Sequence, residues 1–144
     1  MKHLTIIPDV VKDQELIVLP PRTSVREAAR VMTERRIGAV MIVDGGRLIG
    51  IFTERDMITR IVAQGHDPDA VMLEDVMTAK PDTLVPGDSP RDALELMAKK
   101  GYRHLPVVEN GAVIAIVSVR DLYALMVDRL QQGLVRMAER VMFG

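Results

Sequence analysis

Residues 21–58 overlay residues 86–123 at a constant offset of 65 with no gap, so any fold the chain adopts must accommodate one unit twice. Identities fall at Pro21/Pro86, Ser24/Ser89, Arg26/Arg91, Ala28/Ala93, Met32/Met97, Val43/Val108, Gly46/Gly111, Ile49/Ile114, Ile51/Ile116, Arg55/Arg120 and Asp56/Asp121. Most other paired positions match in polarity. Two units of roughly 65 residues are each too small to hide their apolar surface well, so they are expected to pack on one another rather than to stack as a solenoid.

Both units read β-α-β-β-α. In the first, residues 16–19 form a short apolar extended segment that Pro20-Pro21 turns. Ser24 with Glu27 three residues on predicts a capping box, and Ala28, Val31 and Met32 keep helical spacing until Gly38 stops the helix. Two apolar runs, 39–43 and 47–52, flank Asp44-Gly45-Gly46 as a hairpin, and Thr53 opens a second helix. The second unit repeats this with a strand at 83–85, Ser89/Asp92 as cap, Gly101 as stop, and Asn110-Gly111 as the hairpin signal. Its last helix starts at Ser118 and runs on, because Val127, Leu130, Leu134, Met137 or Ala138, and Val141 hold an i, i+3, i+4 register. The expected division is 8–70 for the first domain, 71–127 for the second, and 128–144 for an amphipathic helical extension that covers the core or faces a second subunit.

Composition narrows the functional classes. Nineteen basic against twenty acidic residues leave a formal charge of −1, which gives no general attraction to nucleic acid or to an anionic membrane. The absence of Cys removes disulfides, thiolate metal sites and thiol nucleophiles, and fits a reducing compartment. The start of the chain lacks a signal-peptide pattern, and the longest uncharged run, 111–119, is too short to span a bilayer. A cytoplasmic, non-membrane protein is expected. His3, His66 and His104 are not at metal-ligand spacings, and no nucleophile elbow, P-loop or G-x-G-x-x-G turn is present, so neither a metal nor a catalytic residue is assigned.

Chemistry concentrates at Thr53-Glu54-Arg55-Asp56 and Ser118-Val119-Arg120-Asp121. A capping box explains the hydroxyl and the acid. It does not explain an Arg in the first turn, where the helix dipole disfavours a cation. Amides, a hydroxyl and a guanidinium at a helix start suit an anion, and a neighbouring Asp suits a vicinal diol, so the pattern matches a ribose phosphate.

A duplicated β-α-β-β-α unit with G-I-F-T-E-R-D in one copy and Y-R-H-L-P-V-V-E-N-G in the other resembles a pair of cystathionine-beta-synthase (CBS) domains, over about residues 9–127. The resemblance implies a mixed α/β (α+β) fold. It implies two domains packed through their sheets with pseudo-two-fold symmetry and adenosine-bearing ligands in the clefts between them. The implied ligands are AMP, ADP or ATP, with NAD or S-adenosylmethionine as further members, and no metal is required. It places Asp56 and Asp121 on ribose hydroxyls, and Thr53 and Ser118 on ribose or α-phosphate. Ile37, Gly38, Ala39 and Met41, with Tyr102, Arg103, His104 and Pro106, line purine slots. Arg55, Arg120 and Arg103 are phosphate partners, and Thr78 marks the polar start of the second domain. The implied protein is a non-enzymatic sensor signalling to an effector not named by the sequence, and a homodimer is expected because the paired copies and the apolar tail stripe leave surface that a second chain can cover by two-fold symmetry; a dimerisation scaffold and a nucleotide-processing enzyme are the alternatives. Because copy two carries Tyr102, Arg103 and His104, the Asp121 cleft is expected to bind more tightly than the Asp56 cleft.

Overall fold

The computed structural model describes residues 3–143; Met1 and Lys2 of the N-terminal segment and Gly144 of the expected tail lie outside the described residues. Copy one supplies β1 (Val18–Leu19), α1 (Val25–Arg35), β2 (Ala39–Asp44), β3 (Arg47–Thr53) and α2 (Glu54–Asp56), which continues as a wider helical turn over Met57–Val62. A short α3 (Leu73–Val76) and β4 (Thr78–Ala79) lead into α4 (Pro90–Lys100), β5 (His104–Glu109), β6 (Ala112–Ser118) and the long α5 (Val119–Phe143) of copy two.

Local signals account for most of these boundaries. Positive φ angles at Gly45 and Gly46, and at Asn110 and Gly111, form the two expected hairpins. Ser24 Oγ accepts the Glu27 N–H at 3.1 Å and Ser89 Oγ accepts the Asp92 N–H at 3.0 Å, starting α1 and α4. Only half of the expected box forms at α1, because the Glu27 carboxylate turns to the Arg30 guanidinium instead. Gly101, at φ 75°, closes α4 as expected. In copy one the left-handed residue is Arg36, at φ 55°, and not Gly38. Arg36 is the repeat partner of Gly101, so the turn is kept while its glycine is lost.

Two sheets result. The first has the order β1-β2-β3-β4, with β1 parallel to β2 and the remaining pairs antiparallel; the second contains β5 and β6. The strand expected at 83–85 is reduced to one parallel bridge between Leu84 and Val107. Pro106 supplies the reason. Its carbonyl accepts from the Leu84 N–H at 2.8 Å, but with no N–H of its own it cannot extend the ladder backward. Met41, its repeat partner, leaves the equivalent pairing intact at Val18↔Met41. On the other edge of copy two no β4 equivalent pairs with β6. The Gln14 side chain takes that place, donating Nε2–H to the Ile116 carbonyl at 3.0 Å and accepting the Ile116 N–H on Oε1 at 2.8 Å.

Each copy's lead segment packs in the other copy. Leu73, at the start of copy two, is fully buried with Val25, Ala28, Phe52 and Ile61 of copy one. Ile6, ahead of copy one, is fully buried with Leu84, Met97, Leu105 and Leu122 of copy two. The hydrogen bonds repeat the exchange: Ile6 and Ile7 N–H donate to the Asp88 and Pro86 carbonyls at 2.9 and 3.1 Å, while Leu73 and Glu74 N–H donate to the Thr23 and Pro21 carbonyls at 2.8 and 3.0 Å. Thr23/Asp88 and Pro21/Pro86 are repeat partners, so the pair carries pseudo-two-fold symmetry down to its linkers. Gly50 on β3 makes room for this packing, since a Cβ there would sit 2.2 Å from Met77 Sδ.

Exchanged segments make the two cores one thermodynamic unit. Ile6→Ala and Leu73→Ala are each expected to cost roughly 2–5 kcal/mol, the range for truncating a fully buried aliphatic side chain. Both tyrosines lie in copy two. Urea unfolding followed by tyrosine fluorescence should therefore register Leu73→Ala, a lesion in the core of copy one, as fully as far-UV dichroism does. An unshifted tyrosine transition would show that the copies unfold separately.

Candidate functional site

β3 ends where α2 begins, and the junction is held by a complete capping box. Thr53 Oγ1 accepts the Asp56 N–H at 3.2 Å, and Asp56 Oδ2 accepts the Thr53 N–H at 2.9 Å. Copy two repeats the geometry at Ser118 and Asp121, at 3.1 and 2.8 Å. The capping reading of these residues is thus realised in both copies. It leaves ligand-binding capacity behind: the Thr53 hydroxyl proton is not used in the cap, and Asp56 Oδ1 stands outside it.

Oδ1 of the buried Asp56 faces Arg60 Nε at 3.5 Å. Arg60 also donates to the Val76 carbonyl at 2.6 Å and to Thr78 Oγ1 at 3.1 Å, fastening α3 and β4 to the end of copy one. The Asp-to-Arg spacing of i, i+4 on one helix was the sequence signal that could have found Arg60.

A cleft of about 590 Å³ opens over this junction. Of the residues the sequence singles out, Thr53, Arg55, Asp56, Thr78, Tyr102, Arg103 and His104 line it. Glu54, Thr59, Arg60 and Asp82 line it as well and were missed; Asp82 has no motif and is brought in only by the turn ahead of copy two. Its Oδ2 accepts the Tyr102 hydroxyl at 2.8 Å, and that bond holds the Tyr102 phenol above its ordinary pKa. Arg55 Nη1 reaches the Gly101 carbonyl at 3.2 Å, whereas the Arg103 guanidinium has no ion pair or hydrogen bond among the described residues, its backbone carbonyl alone accepting from the Val119 N–H at 2.9 Å.

The grouping crosses the one expected. Tyr102, Arg103 and His104 of copy two line one cleft with Asp56 of copy one, whereas the sequence groups them with Asp121: this cleft takes its cap from one copy and its slot from the other. Ile37, Gly38, Ala39, Met41 and Pro106 do not line this cleft, nor do Ser118, Arg120 and Asp121. Ala39 and Met41 are buried in β2, and Pro106 is buried in β5. A smaller groove of about 440 Å³, between α4, α5 and residues 101–103, shares Arg55, Gly101, Tyr102 and Arg103 with the cleft and contains neither Ser118 nor Asp121.

His104 stands between the copies. A Cβ on Gly38 would come within 3.2 Å of its ring and within 3.1 Å of Glu54 Oε1. Its Nδ1 is buried with no hydrogen-bond partner among the described residues. Burial pushes the imidazole below its ordinary pKa, an effect that the Glu54 and Asp121 carboxylates oppose and Arg103 reinforces. Among the described residues no three His, Cys, Asp or Glu side chains gather as a metal site, and no helix is long and apolar enough to cross a membrane.

Two sheet-and-helix copies that share a cleft lined by residues of both define a two-domain module. The chain belongs to the CBS domain family, whose pattern matches residues 8–63 and 73–128. It is 35% identical over 118 residues to the Arabidopsis thaliana CBS domain-containing protein CBSCBSPB3, covering 81% of this chain but only 21% of that protein, so it spans about a fifth of that relative. A protein with CBS domains from Burkholderia ambifaria superposes with a TM-score of 0.79 at 32% identity, over 83% of this chain and 91% of that one. A CBS domain protein from Pyrobaculum aerophilum, complexed with AMP, superposes with a TM-score of 0.74 at 28% identity, over 83% and 94%.

The lowered pKa of His104 has a signed consequence. Between its folded value and the ordinary 6.5 the unfolded chain binds more protons, so stability is retained above pH 6.5 and declines as the pH falls below it. Urea midpoints measured from pH 7.5 to 5 should fall less steeply for His104→Gln than for the natural chain. Parallel pH profiles would remove His104 as the cause.

Proposed function

We propose that the chain is a cytoplasmic, homodimeric sensor that binds an adenine nucleotide in the Asp56 cleft and signals its occupancy to a partner protein. The observation that carries this reading is the convergence in one cleft of a hydroxyl and a carboxylate from copy one with an unpaired guanidinium from copy two. A volume of about 590 Å³ is that of a small-molecule site. Asp56 Oδ1 accepts from a ribose hydroxyl, the Thr53 hydroxyl donates to ribose or α-phosphate, and Ile58, Pro81 and Leu105 supply apolar walls for a purine. The bound ligand then bridges the domains at 8–70 and 71–127.

Charge favours the short end of the AMP, ADP and ATP series. Arg60 is committed to Asp56, Val76 and Thr78, and Arg55 is tied to Gly101, which leaves Arg103 as the readiest phosphate partner. Glu54 and Asp82 line the same cleft and repel further phosphates. One phosphate against guanidinium charge requires no metal. The AMP carried by the Pyrobaculum aerophilum relative supports the same class. Binding without turnover fits a site whose hydroxyl and carboxylate each already accept the other residue's backbone N–H in a cap.

Thermal unfolding with AMP, ADP, ATP, NAD and S-adenosylmethionine tests the reading. A ligand at a hundredfold excess over Kd contributes about 2.7 kcal/mol, which should raise Tm by at least about 4 °C. AMP should give the largest shift and ATP a smaller one. By calorimetry Arg103→Ala should weaken AMP roughly 10- to 100-fold, the loss of one charge-assisted bond. Asp121→Asn should stay within a few fold. No shift with any adenine compound would favour the scaffold reading, and turnover of the nucleotide would favour an enzyme.

A further inference from the structure

Beyond Leu125, α5 leaves the body: of residues 126–143 only Gly133 is not exposed. Ten large apolar side chains of the helix lie in water, from Tyr123 to Phe143. A single helix of this kind gains little from propensity alone and, in folded proteins, is held by packing its apolar stripe. No described segment of the chain covers that stripe.

The spacing identifies what does. Tyr123, Val127, Leu130, Leu134, Met137 and Val141 follow one another at intervals of 4, 3, 4, 3 and 4 residues. This is a heptad seam with Val127, Leu134 and Val141 at a, and Tyr123, Leu130 and Met137 at d. All six are exposed, from 53% at Val127 to 86% at Val141. The flanking e and g positions are Ala124, Met126, Gln131, Gly133, Ala138 and Arg140, so a second identical helix meets almost no like charge along the seam. A valine-rich a layer with Leu or Met at d suits two strands.

Area agrees with a stable contact. Six seam side chains can remove roughly 500 Å² of apolar surface per helix, at the order of 60–120 Å² that full burial of each represents. Two helices together then reach about 1,000 Å², the lower bound for a specific interface. We propose that α5 pairs with α5 of a second copy of this chain as a two-stranded coiled coil along the Tyr123-to-Val141 seam. The pairing does not depend on nucleotide binding, although Val119 and Tyr123 at its base line the groove that shares Arg103 with the cleft.

Light scattering of the full chain at micromolar concentration, without nucleotide, tests the proposal. The natural chain should have twice the mass of one 16.0 kDa polypeptide. The double variant Leu130→Glu/Leu134→Glu, altered only at exposed positions, should fall to the mass of one chain while its AMP affinity, which requires both copies folded, stays unchanged. Leu130→Ile/Leu134→Ile should remain a dimer. A natural chain of single mass overturns the proposal, and one that also sediments with anionic phospholipid vesicles assigns the stripe to a lipid surface instead. A glutamate variant that keeps the double mass places the interface on the repeats and equally overturns it.

Discussion

The exchange of lead segments is the constraint on which the rest of the molecule depends. Ile6 fills the core of copy two and Leu73 fills the core of copy one, so neither half has a complete interior alone. Because residues 73–79, the lead segment of copy two, run along copy one, Thr78 is laid beside Ile51 and within reach of Arg60. The cleft is therefore built by chain routing as much as by its functional groups. Its walls come from both copies because each copy's chain is already committed to both.

Within that frame, one helix start serves two purposes. The Thr53/Asp56 box satisfies amides that every helix leaves unpaired, and the Ser118/Asp121 box does the same in copy two. What makes the Asp56 junction a candidate site is the set of neighbours delivered by the other copy: an Arg103 guanidinium unpaired among the described residues, Tyr102 held by Asp82, and a buried imidazole nitrogen at His104.

The repeat, the hairpins and both caps were legible in the sequence because each depends on residues within four positions of one another. The pairing of cap and slot was not legible, since it depends on which copy faces which, and an offset of 65 residues says only that the two are alike. Asp82 and Arg60 illustrate the difference. Arg60 sits at a readable helical interval from Asp56, while Asp82 enters the cleft only through a turn between copies. Gly38 misled for a related reason: its value lies in leaving room for His104 and Glu54 rather than in ending a helix, a demand that no local pattern records.

Gln14 has a consequence of a different kind. A two-stranded sheet whose outer strand runs from Ala112 to Ser118 with Val, Ile and Ala in succession presents the backbone ladder that drives chains to join edge to edge. The Gln14 amide occupies both backbone groups of Ile116, in the middle of that strand, in the manner of one residue of a neighbouring strand. A single polar side chain, far from the cleft in sequence, thereby occupies backbone groups in the middle of an edge that would otherwise offer them to another strand.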